Sequence, residues 1–277
     1  MSRRPSLVAV LLLSSHPVPG AAVTAVALTL AIAVGLEPWR VAVVTLAFAA
    51  NQLSIGWAND WIDAERDRVS GRRDKPVARG DIEPATVRTA AFVALALSVL
   101  LAFVLGPAAG AAHLVFVLSA WAYNAGLKST ALSVVPYVVS FGLLPAVVTL
   151  AAPEPRFAAW WALLAGALLG VAAHFTNVLP DLEDDSRTGV RGLPHRLGLR
   201  DAGITAFGAL ALGAAVVAAG SGGLPGAIGL GPVLLLAAVG VVLVVRRRIS
   251  RALFVLVLVA ALVLVAMLAA SGGRVAA

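Results

Sequence analysis

The chain contains no cysteine, which excludes both a disulfide framework and a thiolate metal site. Charge is scarce. Asp, Glu, Lys and Arg make up 13% of the 277 residues, about half the share usual in water-soluble domains. Hydrophobic residues make up 60%, and this balance argues against a soluble domain. Lysine is nearly missing, with two residues against nineteen arginines, a bias that fits a GC-rich genome better than selection for guanidinium chemistry. The net charge of +7 would suit a nucleic-acid binder. In a membrane protein, orientation explains it better, and no nucleic-acid partner is expected. A cleavable signal peptide is not expected either. Ser2 to Arg4 are basic or small and Leu7 to Leu13 are apolar, but Ser14, Ser15, His16 and Pro17 interrupt the run and a second apolar run follows at once. This pattern predicts the kinked start of a first membrane helix.

What is present is a string of apolar segments. A bilayer core takes about 20 mostly apolar helical residues. Nine segments have that character, centred on 20–36, 41–58, 86–105, 109–125, 132–151, 157–179, 202–220, 226–245 and 252–270. Breakers fall between them: Gly106-Pro107, Pro153 with Pro155, and Gly220 to Pro225. Pro84 stands where a first helical turn would begin. Short alternating strands, the mark of a membrane barrel, are not seen. The expected fold is therefore all-α: a multi-pass membrane protein of nine helices around a central cavity open to lipid, forming one domain over residues 1–277.

Charge parity supports nine. With that count, eighteen of the 21 basic residues fall on the side of the N-terminus, and only Arg40, Arg156 and Arg274 on the other. The positive-inside tendency then puts the N-terminus in the cytoplasm and the C-terminus across a cell membrane.

Two acidic stretches break the apolar pattern. NDWIDAERD runs from Asn59 to Asp67, and NVLPDLEDD from Asn177 to Asp185. They follow the second and sixth segments, so they emerge on the same, cytoplasmic, face. A shift of 118 residues superposes them. Asn59, Asp63, Glu65, Asp67, Gly71, Arg73, Pro76 and Gly80 fall on Asn177, Asp181, Glu183, Asp185, Gly189, Arg191, Pro194 and Gly198. The chain thus divides into two pseudo-repeat halves, about 1–125 and 126–277, suggesting two half-sites that face one ligand.

Residues at i, i+4 and i+8 share one face of a helix. Asn59, Asp63 and Asp67 therefore predict one stripe, and Asn177, Asp181 and Asp185 a second. Facing carboxylates repel unless a cation lies between them. Magnesium suits the gap, because it takes one or two carboxylates together with a substrate's phosphate oxygens. The neighbouring arginines and lysine suit a phosphorylated anion. Metal-holding acids, phosphate-holding bases and an apolar cavity beneath describe a site for an isoprenoid diphosphate.

With these residues in view, the chain resembles the UbiA superfamily of intramembrane prenyltransferases. NDWIDAERD followed by Arg72 looks like the first aspartate-rich motif of that family, and NVLPDLEDDSRTGVRGLPHRLG like the second. Tyr123-Asn-Ala-Gly-Leu-Lys128 is similar to its tyrosine–lysine element. The resemblance implies a magnesium-dependent enzyme that moves an isoprenoid chain from an allylic diphosphate to an acceptor within the membrane. Carried over, it makes Asn59, Asp63, Asp67, Asp181 and Asp185 the metal ligands, the four aspartates being the catalytic set. It makes Arg72, Lys128, Tyr123 and Asn177 the diphosphate-binding group. Asp60, Arg73 and Arg191 would be additional or supporting residues. Asn51 and Gln52, about two turns inside the first motif, would line an acceptor cavity. Two departures stand out. The family's asparagine–arginine–proline run is here Asp74-Lys75-Pro76, and the first helix lacks the charges that some members direct at an aromatic acid. The acceptor thus stays open, between an aromatic ring and a lipid-like molecule.

Two rivals remain. The same site without an acceptor would be an intramembrane terpene cyclase. A divalent-cation transporter would need acids at mid-membrane depth, whereas these sit at segment ends beside arginines. Among polar residues inside the segments, His113 and His174 are expected to be bonds between helices rather than ligands. Gly166 and Gly170, four apart, are expected to allow close helix packing.

Overall fold

The computed structural model describes residues 6–72, 75–179, 191–222, 224–246 and 251–277. Prolines mark where several helices start. Pro17, Pro38, Pro84 and Pro107 each stand in the first turn, where the missing N–H has no intrahelical partner to lose. The helices are α1 (Leu7–Ser14), α2 (Pro17–Val34), α3 (Pro38–Ile62), α4 (Ala64–Val69), α5 (Pro76–Arg79) and α6 (Pro84–Val104). They continue with α7 (Pro107–Asn124), α8 (Val135–Leu150), α9 (Trp160–Val178), α10 (Leu193–Ser221), α11 (Leu224–Val245) and α12 (Arg251–Ala270). Among the described residues there is no strand beyond one isolated bridge, Ala158 to Ala276.

Every expected segment coincides with one long helix, within a few residues at each end except one. The seventh, expected from 202, begins nine residues earlier at Leu193. Gly198 explains the difference. Its backbone (φ 78°, ψ 168°) breaks the helix, so a short amphipathic turn precedes the apolar rod. A side chain would strain that left-handed φ. The predicted kink at the N-terminus is also present. His16, between α1 and α2, has φ 53°, a left-handed conformation uncommon outside glycine.

Consecutive long helices pack on one another from α2 and α3 through α6 to α12, and α12 returns to touch α2. The result is a ring. Among the described residues, six of its helices are long and apolar enough to cross a membrane: α2, α3, α6, α9, α10 and most of α11. Large apolar side chains such as Leu97, Leu100, Leu235, Val242, Leu258 and Leu262 cover the outside. A water-soluble surface does not tolerate so broad an apolar belt. In lipid, apolar burial between helices gains little, so close packing and buried hydrogen bonds carry association. Gly166 and Gly170 act as expected. A Cβ on either would lie 2.3 or 2.4 Å from the carbonyl oxygens of Phe141 and Tyr137, so α8 and α9 approach backbone to backbone. His113 also acts as expected, pairing with Ser98 at 2.6 Å. Ser98 in turn donates to the carbonyl of Ala47 at 3.0 Å, which ties α3, α6 and α7 together.

The two ends of the ring differ in charge. At one end Arg40 donates to the carbonyl of Ala151 and Arg274 to that of Ser221. The backbone of Ala277 meets Phe157, next to Arg156. The same three arginines form the minority group in the parity count. The other end holds Arg66, Arg72, Lys75 and Lys128 around a cavity.

Candidate active site

The first acidic motif sits where α3 stops. Asp63 is the hinge residue, closing α3 and opening α4 with φ −86° and ψ −4°. Helical bonding nevertheless runs through the break. The N–H of Asp63 donates to the carbonyl of Asn59 (3.0 Å), and that of Asp67 to the carbonyl of Asp63 (2.8 Å). The expected stripe of Asn59, Asp63 and Asp67 therefore survives the change of helix. Asp60, Asp63 and Asp67 are 1%, 4% and 3% exposed. Such burial is rare for carboxylates unless they are paired.

Arg66 of the same motif and two lysines from elsewhere in the chain pair them. The Lys128 ammonium lies 2.5 Å from the Asp63 carboxylate. Arg66 approaches Asp63 at 2.9 Å and Asp67 at 3.7 Å. Lys75 meets Asp67 at 2.8 Å and Asp60 at 3.4 Å, and donates to the side-chain oxygen of Asn59 at 3.1 Å. The His16 ring is 3.7 Å from Asp60. Among the described residues, neither oxygen of Asp60 accepts a hydrogen bond. Burial pushes Lys128 below the ordinary lysine range, and the charge and hydrogen bond of Asp63 oppose that. Glu65, matched by Glu183 in the repeat, turns away. It is exposed and paired with Arg68, whose hydrogen bond and charge hold its carboxyl below the usual value.

The cavity encloses about 340 Å³. Asn59, Asp63, Asp67, Arg72, Tyr123, Lys128, Asn177 and Gln52 all line it, so most of the expected site converges. Asp60 stands just behind the wall. Asn51 is fully buried outside the cavity wall, and among the described residues its amide has no partner. One residue turns a helix by about 100°, so Asn51 and Gln52 cannot both face the cavity. Arg191 is exposed and does not line it. Asp181, Asp185 and Arg73 lie outside the described residues.

The second half of the wall comes from the repeat. Asn177, at the end of α9, donates to the Tyr137 hydroxyl at 3.5 Å. Tyr123 stands edge-on to both Tyr137 and His174. His174 bonds Ser133 at 3.0 Å, as a structural histidine, yet it also lines the cavity. Beyond residues 180–190 the chain returns at Gly192, packed so tightly that a Cβ there would lie 2.6 Å from the carbonyl of Lys128. Ser133 accepts the N–H of Leu193 at 2.8 Å. The repeat has a structural echo. Pro76 opens a helical turn that Gly80 ends at φ 77°, and Pro194 opens one that Gly198 ends at φ 78°.

Helix polarity adds to the field. α3, α7 and α9 end at the cavity, and their negative C-terminal ends favour cations. α2 begins there, and its positive end favours an anion. Among the described residues, no three His, Asp or Glu side chains are gathered tightly enough to hold a metal alone. Asn59, Asp63 and Asp67 offer hard oxygens at the cavity wall.

Sequence reading missed several residues. His16, Asn124 and His195 also line the cavity, and Asn124 accepts from Asn59 at 3.3 Å. Asn124 was legible only as a polar residue within a segment. The sequence reads Arg66 and Lys75 as cations near the motif but gives them no acidic partner, because those partners depend on how the chain folds back after α4.

The chain matches the UbiA prenyltransferase family model over residues 20–254. It belongs to that family. No curated protein matches it. Among solved structures it is similar to a UbiA homologue from Archaeoglobus fulgidus, determined with DMAPP and Mg²⁺ (15% identity, 94% of this chain and 98% of that one, TM-score 0.73). The same homologue with GPP and Mg²⁺ matches at 15% identity over 94% and 99% of the two chains (TM-score 0.71). A digeranylgeranylglyceryl phosphate synthase matches at 13% identity over 96% and 98% (TM-score 0.66). At such low identity, these likenesses establish the fold.

Proposed function

We propose that this protein is a magnesium-dependent intramembrane prenyltransferase that moves an isoprenoid chain from an allylic diphosphate to an acceptor. One observation carries the reading. Three buried carboxylates of the first motif, both lysines of the chain and Asn177 of the second motif face or flank one cavity at the basic end of the ring. The A. fulgidus structures, with DMAPP or GPP and Mg²⁺ bound, support it.

The residues fit the metal. Asn59, Asp63 and Asp67 offer hard oxygens, and Asp60, whose oxygens accept no hydrogen bond among the described residues, adds negative charge beside them, as an ion that prefers oxygen ligands requires. Asp181 and Asp185 would complete the set, since residues on either side of their segment, Asn177 and Gly192, line the same cavity. When bound, Mg²⁺ supplies Lewis-acid stabilisation of the leaving diphosphate. The protein does the rest. Lys128 and Arg72 bind the diphosphate oxygens, and Tyr123 and Asn177 orient them. Fixed positive charge and the N-terminal end of α2 stabilise the negative charge that grows as the allylic carbon–oxygen bond breaks. The apolar helices below hold the isoprenoid tail and keep water from the allyl cation. Both repeat halves serve one domain, with the cavity at the cytoplasmic leaflet.

The cavity wall from Pro19 to Gly20 and Gln52 to Gly56 carries no formal charge. That observation keeps the cyclase as a second reading, in which the tail itself traps the cation. Mass spectrometry decides between them, using purified protein, Mg²⁺, a mixed pool of isoprenoid diphosphates and a host lipid extract. A prenylated acceptor is expected. Cyclised hydrocarbon formed without acceptor would replace the transferase reading, and no diphosphate release under any condition would end both.

A further inference from the structure

The chain uses arginine for nineteen of its 21 cationic side chains, yet its two lysines both reach the same row of carboxylates. Lys75 arrives from the start of α5 and Lys128 from the loop after α7. Both are nearly buried, at 7% and 9% exposure. The Lys75 ammonium sits among three oxygens of the first motif: Asp67 Oδ2 at 2.8 Å, Asn59 Oδ1 at 3.1 Å and Asp60 Oδ1 at 3.4 Å. An ammonium is a compact point charge that fits such a nest, whereas a guanidinium is a planar fork that suits two parallel acceptors. The nest thus consists of the hard oxygens that a divalent cation takes.

We infer that Lys75 is a built-in counter-ion that occupies the cation position of the first motif and yields it only when a diphosphate is present to receive the displaced ammonium. The inference rests on the proposed function and deepens it. Two cations cannot share one small oxygen nest, because their repulsion in a partly buried site is barely screened. Lys75 must therefore leave for a divalent ion to enter. A buried ammonium that leaves three oxygen partners needs another anion, and diphosphate oxygens are strong acceptors for it. Metal and diphosphate binding are then linked, each raising the affinity of the other. Lys75 also offsets the charge of two crowded acids, Asp60 and Asp67, while the site waits. It acts as a positioning residue, and the site discriminates against free metal.

The test measures Mn²⁺ held on the purified full-length protein by water-proton relaxation enhancement, with and without inorganic pyrophosphate. For the unaltered chain, Mn²⁺ is expected to bind weakly alone and about ten-fold or more tightly with pyrophosphate. In Lys75→Met and Lys75→Gln, Mn²⁺ alone is expected to bind about ten-fold more tightly, and the pyrophosphate enhancement to shrink. Simple structural damage would weaken binding, so the sign of the change is diagnostic. If both variants bind Mn²⁺ no better than the parent while pyrophosphate still enhances binding, this role for Lys75 is wrong and the proposed function stands. If no form holds Mn²⁺ even with pyrophosphate, the proposed function falls and the inference falls with it.

Discussion

Lys128 and Asp63, 65 residues apart in the chain, meet as an ammonium 2.5 Å from both oxygens of a carboxylate. The contact joins the loop after α7 to the hinge between α3 and α4, so the ends of two helices are fixed against each other by charge. Asp63 is the centre of the arrangement, since Arg66 and Asn59 reach it too.

Replacing Asp63 should therefore stop turnover. Asp63→Ala removes one proposed ligand and leaves Lys128 and Arg66 facing an empty place. A loss of at least about 10³-fold in product formation is expected, the scale at which a lost transition-state stabiliser is felt. Asp181→Ala should behave alike, although its motif lies in the other half. Detergent extraction and size-exclusion profiles would check that both variants insert. Full activity in either one would count heavily against the site.

Lys128→Ala tests the anion side. A charge-assisted hydrogen bond is worth about 1.5–3 kcal/mol. The KM for the isoprenoid diphosphate should rise by about ten-fold or more, with a smaller change in kcat. Initial rates over a range of diphosphate concentrations measure it. An unchanged KM removes Lys128 from the binding group.

Metal removal gives a third test. Dialysis against EDTA should abolish product formation, and Mg²⁺ added back should restore it. Asn59 and the aspartates supply hard oxygen donors and no nitrogen or sulfur, so a soft metal is not expected to substitute well. Activity that survives EDTA would contradict the assignment of these residues as ligands.

The kink at the N-terminus is built against Gly56. A Cβ there would lie 2.0 Å from the carbonyl oxygen of Ser15, and Trp57 donates to the carbonyl of Leu11 at 2.8 Å. Gly56→Ala should push the α1–α2 corner off α3. A stability loss of about 1–3 kcal/mol is expected, the usual cost of overpacking, and it should appear as a lower melting temperature of the purified protein. His16 would move with that corner, away from Asp60.

Ser133 and Ser98 make a matched pair of controls. Each bonds a buried histidine, His174 for Ser133 and His113 for Ser98. Only the first also holds the N–H of Leu193 at the return of the second motif. Ser133→Ala and Ser98→Ala should each lower stability by about 1–3 kcal/mol, the cost of leaving a buried group unpaired. Ser133→Ala alone should also raise the KM for the diphosphate. Equal KM values in the two variants would separate the Ser133 bonds from substrate binding.

Much of this is legible in the amino-acid sequence. The long helices follow from apolar length, the kink from His16-Pro17, and the close approach of α8 and α9 from Gly166 and Gly170. Asn59, Asp63 and Asp67 could be placed on one face by spacing alone, because the rise and turn of a helix are local constants. Asn51 shows the limit. Its position two turns inside the motif gave depth but not facing, and the wall took Gln52 instead. The start of α10 shows another. Gly198 was read as part of a repeated pattern, and only its backbone angles reveal a break between an amphipathic turn and the apolar rod.

Sequence alone determined the helices and the meeting of Asn59 and Asn177 at one end of the ring. In lipid each backbone polar group must find its partner within its own segment, and the count of segments then decides which loops emerge together. The tertiary structure decided the pairing. That Lys75, Arg66 and Lys128 neutralise one row of acids, that His16 comes to Asp60, and that Gly192 presses on Lys128 all depend on how the ring closes. Such contacts join residues tens of positions apart. Their geometry is set by the packing of whole helices rather than by any local pattern.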